Sequence, residues 1–162
     1  MTPAVLRGYL ELLRPANVAT ALADVLAGYA VAARGNFPAL PWLLAATACL
    51  YGGGIVLNDV FDRKVDAVER PERPIPSGRV KTATAAWIGA ALLAGGILAA
   101  SRATAEAALI AASIAACVLL YDGWSKRYSV VGPVNMGLCR GLNLLLGMAA
   151  VPGVVARSWP LG

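Results

Sequence analysis

The chain has 162 residues, of which 59% are hydrophobic and only 14% are charged, and its mean hydropathy is +0.66. Soluble domains carry about 45–50% apolar and about 25% charged residues, so both values indicate a protein of the lipid bilayer. The net charge of +5 does not indicate nucleic-acid binding, because the basic residues lie between apolar runs and form no patch with interleaved aromatic side chains. The absence of histidine excludes the commonest general base and most zinc sites.

Five apolar segments are long enough to be membrane-spanning helices. Crossing about 30 Å of hydrocarbon takes about 20 mainly apolar residues, and the segments must be helical because lipid offers no partner to backbone polar groups. They are approximately 16–34, 40–60, 82–100, 104–121 and 131–156. Glycines recur inside them, and such residues usually let membrane helices approach closely. The sequence predicts an all-α fold, a polytopic membrane helix bundle of about five transmembrane helices, with residues 1–162 forming a single domain.

Lysine and arginine are distributed unevenly between the connections. Cytoplasmic connections carry an excess of these residues. Three basic residues, Arg34, Arg102 and Arg157, fall on one side of the predicted bundle. On the other side lie Arg7, Arg14, Arg63, Lys64, Arg70, Arg73, Arg79, Lys81, Lys126 and Arg127. We therefore predict an integral protein of the inner (cytoplasmic) membrane, with the N-terminus and the connection after the second span facing the cytoplasm.

Acidic residues occur where the second span ends. Asp59, Asp62 and Asp66 are three and four positions apart, so they share one helix face, with Asn58 beside it. Like charges at this spacing repel one another and require cations. One interpretation is a solvated helix end whose side chains reach towards water. The other is a magnesium site, because Mg²⁺ commonly joins one or two carboxylates to substrate phosphates, and the arginines that follow suit phosphate.

Three stretches carry a resemblance to a known family. "NDVFDRKVD" followed by "RPERPIPSGRV" is similar to the first Asp-rich motif of the UbiA superfamily of intramembrane prenyltransferases. "LLRPANVATALADVLAGYA" resembles the first helix of that family, and "YDGWSKRYSVVGPVNMGLCRGLNLLLG" resembles a later connection and the helix after it. This last stretch is most similar to the EboC-like branch. The matching positions of the first motif are Asn58, Asp59, Asp62, Asp66, Arg70, Arg73, Pro74, Ser77 and Gly78.

The resemblance implies the first half of a nine-helix UbiA-like fold. It also implies Mg²⁺-dependent transfer of a prenyl group from an allylic diphosphate to a lipophilic, often aromatic, acceptor in the bilayer. Asp59 and Asp62 then hold the metal and, with Lys126, are the catalytic residues. The implied substrate-binding residues are Asn17, Asn58, Asp66, Arg70, Arg73, Tyr121 and Arg127.

Two features depart from the family pattern. The family typically has nine spans and a second Asp-rich motif in its second half, whereas this chain has five spans and no such motif. It is therefore either a natural short form or a fragment that lacks the C-terminal half, and we expect it to be inactive alone. Tyr121 and Lys126 are separated by four residues where the common pattern has three, which leaves the role of Tyr121 open.

Other functions are compatible with some of these residues. A non-catalytic UbiA-like lipid-binding or transport partner is the main alternative to the enzyme. In that case Lys126 and Arg127 only determine the orientation of the chain in the membrane and bind anionic lipid. A CDP-alcohol phosphotransferase is disfavoured, because Asp122-Gly123 is not followed by the Ala-Arg and later aspartates of that signature.

Two ionisable residues lie inside predicted spans. Asp24 is the ninth residue of the first span and Arg140 the tenth of the fifth, and both spans enter from the same side. At ~1.5 Å per residue they lie at nearly one depth, about 12–14 Å inside. Charges in a bilayer face the bundle interior and find partners. We predict that Asp24 and Arg140 pair, directly or through Asn143, and line the central cavity; the alternative is that each lines a separate wet pocket.

Overall fold

The described chain, residues 3–32 and 38–155 of a computed structural model, is helical and contains no strand. The side chains of residues 3–6 and 15–17 lie outside this description. A single 3₁₀ turn, Ser125–Arg127, follows the fifth helix. The α-helices are α1 (Pro3–Leu13), α2 (Pro15–Ala32), α3 (Leu40–Glu69), α4 (Thr82–Ala103), α5 (Ala105–Gly123) and α6 (Val131–Met148). The predicted all-α fold is confirmed.

Helices α2 to α6 lie at the five segments in which the sequence predicts spans. Three of them, α3, α4 and α5, are long and apolar enough to cross a membrane. Residues Arg7–Leu13 and Val18–Ala32 meet the same requirement together, as a pair bent by 42°. The membrane crossing of α6 stays a prediction. These apolar helices agree with a membrane helix bundle.

Helix α3 extends beyond the apolar run and carries the aspartates with it. The run ends near residue 60, whereas the helix continues to Glu69. The N–H of Arg70 donates to the carbonyl oxygen of Asp66 at 2.8 Å and closes the last turn. The three aspartates are therefore helical, and the prediction that they share one face is confirmed.

Close approach of helices α2 and α6 depends on two glycines. A Cβ atom at Gly28 would overlap the carbonyl group of Leu144, and one at Gly147 would overlap that of Val25. At Gly141, also on α6, a Cβ atom would meet nothing within 4 Å. The predicted role of glycines in close packing is confirmed for Gly147 and wrong for Gly141, because the Gly141 face has no neighbouring helix in the described chain.

The two ionisable residues inside α2 and α6 form a direct pair. Arg140 donates from Nη2 to Oδ1 of Asp24 at 2.7 Å, which confirms the predicted pairing. Asn143 instead donates to the carbonyl oxygen of Ala21 at 2.7 Å and accepts from the hydroxyl of Thr47 at 2.8 Å. The Arg140 side chain is 55% exposed, and neither member of the pair lines the apolar cavity described below. The pair therefore joins α2 to α6 outside this cavity, and the prediction that it lines the cavity is wrong for the described chain.

Three basic segments meet at one end of the bundle. The α1–α2 junction contributes Arg14, the connection between α3 and α4 contributes Arg73, and the turn after α5 contributes Lys126. Each of these side chains contacts an aspartate of α3. The cytoplasmic location of this end stays a prediction.

Candidate active site

The first group of charged side chains consists of two arginines and two aspartates. Arg14 donates from Nη2 to Oδ1 of Asp59, and Arg73 donates from Nη1 to Oδ2 of Asp66, each at 2.6 Å. Arg73 also lies 3.4 Å from Oδ1 of Asp59, so it bridges the two carboxylates. Asp59 and Asp66 are only 3% and 4% exposed. Buried charges require compensating partners, and these four residues, the arginine–aspartate cluster, provide them for one another.

Apolar side chains hold the connection between α3 and α4 against the bundle. Ile75 and Val80 are buried, and they belong to one packed cluster with Leu12 of α1 and Val56 of α3. This packing anchors the connection on both sides of its middle. It explains how Arg73, which lies beyond the end of α3, returns to the aspartate face of that helix.

Arg14 lies at the break between α1 and α2. Its φ angle is +42°, in the left-handed region that residues other than glycine rarely adopt. Pro15 follows it, and a residue before proline is disfavoured in the right-handed helical conformation. The chain therefore breaks here, and the residue at the break is the one whose guanidinium group contacts Asp59.

The second group joins Lys126 to two oxygen atoms of α3. Its Nζ donates to Oδ1 of Asp62 at 2.6 Å and to Oδ1 of Asn58 at 3.2 Å. Asn58 and Asp62 are four residues apart, so one turn of α3 directs both oxygens at a single cation. These three residues form the lysine cluster.

Buried hydrogen bonds fix the turn that carries Lys126. Ser125 is fully buried, and its Oγ accepts from Nδ2 of Asn135 at 2.9 Å. The same amide nitrogen donates to the carbonyl oxygen of Cys117 at 3.1 Å. Asn135 thereby connects α6 to both α5 and the turn, and this places Lys126 opposite α3.

An apolar cavity of about 260 Å³ lies between α3, α5 and α6. Leu50 and Ile55 line it from α3, and Met136 lines it from α6. Ile114 and Val118, four residues apart on α5, complete the apolar wall. The cavity offers space for a hydrocarbon group between the helices.

Polar side chains line one end of this cavity. They are Arg14, Asn58, Tyr121 and Asp122. Arg14 and Asn58 belong to the two charged clusters, so the cavity ends where the cations and carboxylates begin. The arrangement suits an amphipathic ligand with an apolar tail and an anionic head.

Asp122 lies in the last turn of α5 and is 3% exposed. Its Oδ2 is buried and has no hydrogen-bond partner within the described part of the chain. A buried carboxylate oxygen without a partner is uncommon in folded proteins and requires an explanation.

The structure brings most of the predicted site residues together. Asn58, Asp59, Asp62, Asp66, Arg73 and Lys126 lie in the two clusters, and Tyr121 lines the cavity. Arg70 and Arg127 are exposed, and neither forms an ion pair with a described residue. The side chain of Asn17 lies outside the described residues. The roles of these residues stay predictions.

The contact of Arg14 with Asp59 and the orphaned oxygen of Asp122 were not predicted from the sequence. The sequence indicates Arg14 only as a basic residue within the stretch that resembles the first helix of the family. Asp122 lies beside Tyr121 in "YDGWSKR", and its position between an apolar helix and a Lys-Arg pair was the available indication.

The oxygen atoms of α3 fit a magnesium ion. Within the described residues no three acidic, histidine or cysteine side chains are grouped to hold a metal. Mg²⁺ needs fewer protein ligands than this, since one or two carboxylates together with waters and substrate phosphates suffice. Asn58 and Asp62 already direct two oxygens at one cation, the Lys126 ammonium group. Asp59 points instead to Arg14 and Arg73, and it would have to leave them to bind the same ion.

Comparison with known proteins gives the family. Residues 21–162 match the UbiA prenyltransferase family. The chain belongs to the UbiA prenyltransferase family. Together with the apolar helices, this membership makes it an integral membrane protein.

The similar relatives are named digeranylgeranylglyceryl phosphate synthase. The one from Methanopyrus kandleri is 38% identical over 95% of this chain and 57% of its own length. The one from Ignicoccus hospitalis is 36% identical over 94% of this chain and 51% of its own length. A solved structure described as that of a digeranylgeranylglyceryl phosphate synthase in membranes superposes with a TM-score of 0.87. The two chains are 29% identical, and the superposition covers 93% of this chain and 55% of the solved chain.

The chain therefore spans about half the length of the curated relatives it matches. The fold prediction, a UbiA-like helix bundle, agrees with these comparisons. Membership of the EboC-like branch stays a prediction.

Proposed function

We propose that the protein to which this chain belongs transfers a prenyl group from an allylic diphosphate to an acceptor in the membrane. One observation carries the proposal: the apolar cavity between α3, α5 and α6 ends at the arginine–aspartate and lysine clusters. A prenyl diphosphate has the same division, an apolar chain joined to a strongly anionic head. The family and the names of the relatives support the same activity.

Different side chains act on the two ends of the substrate. The wall formed by residues such as Leu50, Ile114 and Val118 accepts the prenyl chain and excludes water, which would otherwise capture the allylic cation. Arg14 lines the polar end and Lys126 contacts Asn58 there, and both cations stabilise the negative charge of the departing diphosphate. Asn58 and Asp62 would hold Mg²⁺, joined by Asp59 once Arg14 and Arg73 release it. The metal would supply further charge neutralisation for the diphosphate.

We infer the acceptor class from the relatives. Their name describes a glyceryl phosphate that carries two geranylgeranyl groups, so a second prenyl group is added to a glyceryl phosphate lipid. By analogy, the acceptor of this protein is a hydroxyl group of a prenylglyceryl phosphate. The aromatic acceptor predicted from the family resemblance is the alternative, and both acceptors can be offered in one assay.

The cytoplasmic face of the inner membrane remains the proposed location of the charged end. The prediction that the 162-residue chain is inactive alone also stays a proposal, and it rests on the half-length match to the relatives. A non-catalytic lipid-binding or transport partner is the alternative to an enzyme. It would bind prenyl lipids without releasing diphosphate.

The test is transfer of a radiolabelled prenyl group to lipid-soluble product by the full-length protein in detergent, with Mg²⁺ and each acceptor. We expect transfer by the wild type and none by Asp62→Asn or Asp59→Asn, with expression unchanged. Glu106→Gln is the matched control, because Glu106 is a carboxylate at the opposite end of the bundle that accepts from the N–H of Gly153 at 3.0 Å. Full activity of Asp62→Asn, or no transfer by the wild type, would refute the proposal.

A further inference from the structure

Among the residues that the structure describes, Asp122 is the one buried carboxylate of the cavity that the proposed function leaves without a role. It is almost fully buried, lines the polar end of the cavity, and leaves Oδ2 without a partner in the described chain. The neighbouring carboxylates differ in this respect. Asp59 and Asp66 are bound by arginines, and Asp62 is bound by Lys126.

The chemistry of the missing partner can be deduced from the site. A carboxylate accepts hydrogen bonds, so the partner must carry a donor. The diphosphate is itself an acceptor and an anion, and the prenyl chain carries no donor at all. Asp122 also forms no group of three acids placed for one metal ion within the described residues. Of the proposed substrates, only the hydroxyl group of the acceptor lipid qualifies.

We propose that Asp122 binds the hydroxyl group of the acceptor lipid and takes its proton during transfer, an inference that rests on the proposed function. The acceptor oxygen forms a bond to C1 of the allylic group. The C1–O bond to the diphosphate breaks, and its electron pair leaves with the diphosphate. The O–H electron pair returns to the acceptor oxygen, and the proton passes to Oδ2 of Asp122.

The position of Asp122 suits this step. Asp122 lies on α5 and Asn58 on α3, and both line the polar end of the cavity, so an acceptor at Asp122 and a diphosphate at the lysine cluster meet at this end. Tyr121 precedes Asp122 and also lines this end. A positioned general base contributes about 10²–10⁴-fold to the rate of such a reaction.

The test compares Asp122→Asn with the wild type in the full-length protein, using a prenylglyceryl phosphate acceptor and a second acceptor in which a thiol replaces the reacting hydroxyl. For the hydroxyl acceptor we expect kcat to fall about 10²–10⁴-fold. Binding of the prenyl diphosphate is measured by calorimetry with Mg²⁺ and an analogue whose allylic C1–O bond does not break. We expect this affinity to be the same in Asp122→Asn and in the wild type. The thiol acceptor should restore most of the rate, because a thiol ionises without a strong base. Glu106→Gln serves again as the control at the far end of the bundle.

Each outcome decides the matter. Wild-type rates in Asp122→Asn would overturn this inference and leave the proposed function intact. An equal loss with both acceptors would also overturn it, since a merely structural role predicts that result. Loss of prenyl diphosphate binding would place Asp122 in the diphosphate site instead. A wild-type protein that transfers to no acceptor would overturn the proposed function, and this inference with it.

Discussion

Arg73 is the side chain that ties the connection after α3 to the aspartate face. It contacts both Asp66 and Asp59, and the two carboxylates are buried. Asp59 has a second partner in Arg14, whereas Asp66 pairs with no other described cation. Asp66 is therefore the residue that depends most on Arg73.

We predict that Arg73→Gln destabilises the fold by about 3 kcal/mol, because it leaves Asp66 buried without a cation. Arg70→Gln is the matched control for stability, since Arg70 lies in the same connection but is exposed. Thermal unfolding in detergent, followed by circular dichroism, measures both variants. Equal melting temperatures for the two variants would contradict the bridging role of Arg73.

At the scale of residues, the spacing of the three aspartates was predictable from the sequence, whereas the cations that pair with them were not. Spacing of three and four places Asp59, Asp62 and Asp66 on one face of any helix. Their cations come from positions far away in the chain, Arg14 and Lys126, and such contacts depend on helix packing. The pairing of Asp24 with Arg140 could be predicted, because equal depth in two spans narrows the choice of partner. Its location outside the apolar cavity could not be predicted, because periodicity does not say which face a neighbouring helix covers.

The contact between α2 and α6 is the element-scale feature with the clearest test. Gly147 faces the carbonyl group of Val25, so there is no room for a methyl group between the two backbones. Gly141 lies six residues earlier on α6 with open space around it. The two glycines therefore separate the effect of close packing from that of helix propensity.

We predict that Gly147→Ala lowers the free energy of unfolding by about 2 kcal/mol, because the added methyl group overpacks the α2–α6 contact. Gly141→Ala should leave it unchanged or raise it by up to about 1 kcal/mol, because alanine favours the helix. Both variants are compared by thermal unfolding in the same detergent. A Gly147→Ala protein as stable as Gly141→Ala would argue against the observed helix contact.

The helices themselves were largely predictable, and their ends were less so. Apolar runs of span length predicted where α2 to α6 lie, because burial in lipid requires both apolarity and helical hydrogen bonding. The run before Asn58 did not predict that α3 continues to Glu69, since polar residues can extend a helix into water. The break at Arg14 follows from Pro15, yet its contact with Asp59 follows only from tertiary structure.

At the scale of the whole molecule, the bundle divides into an apolar cavity and a charged end. The cavity is formed by α3, α5 and α6, while the charges come from the α1–α2 junction, α3, the connection that follows it and the turn after α5. In the present structure Arg14, Arg73 and Lys126 satisfy the three aspartates of α3. Binding of a metal and a diphosphate would replace these internal pairs, with Lys126 passing from Asp62 to the diphosphate.

The most direct test of this account is the binding of a non-ionising allylic diphosphate analogue to the full-length protein, measured by calorimetry with Mg²⁺ and with a chelator. The account predicts that binding requires Mg²⁺ and weakens about tenfold or more in Asp62→Asn, since even residues that only support metal ligands contribute that much. Glu106→Gln should bind as the wild type does. Equal affinity without metal, or an unchanged affinity in Asp62→Asn, would contradict the claim that the lysine cluster and its metal hold the diphosphate.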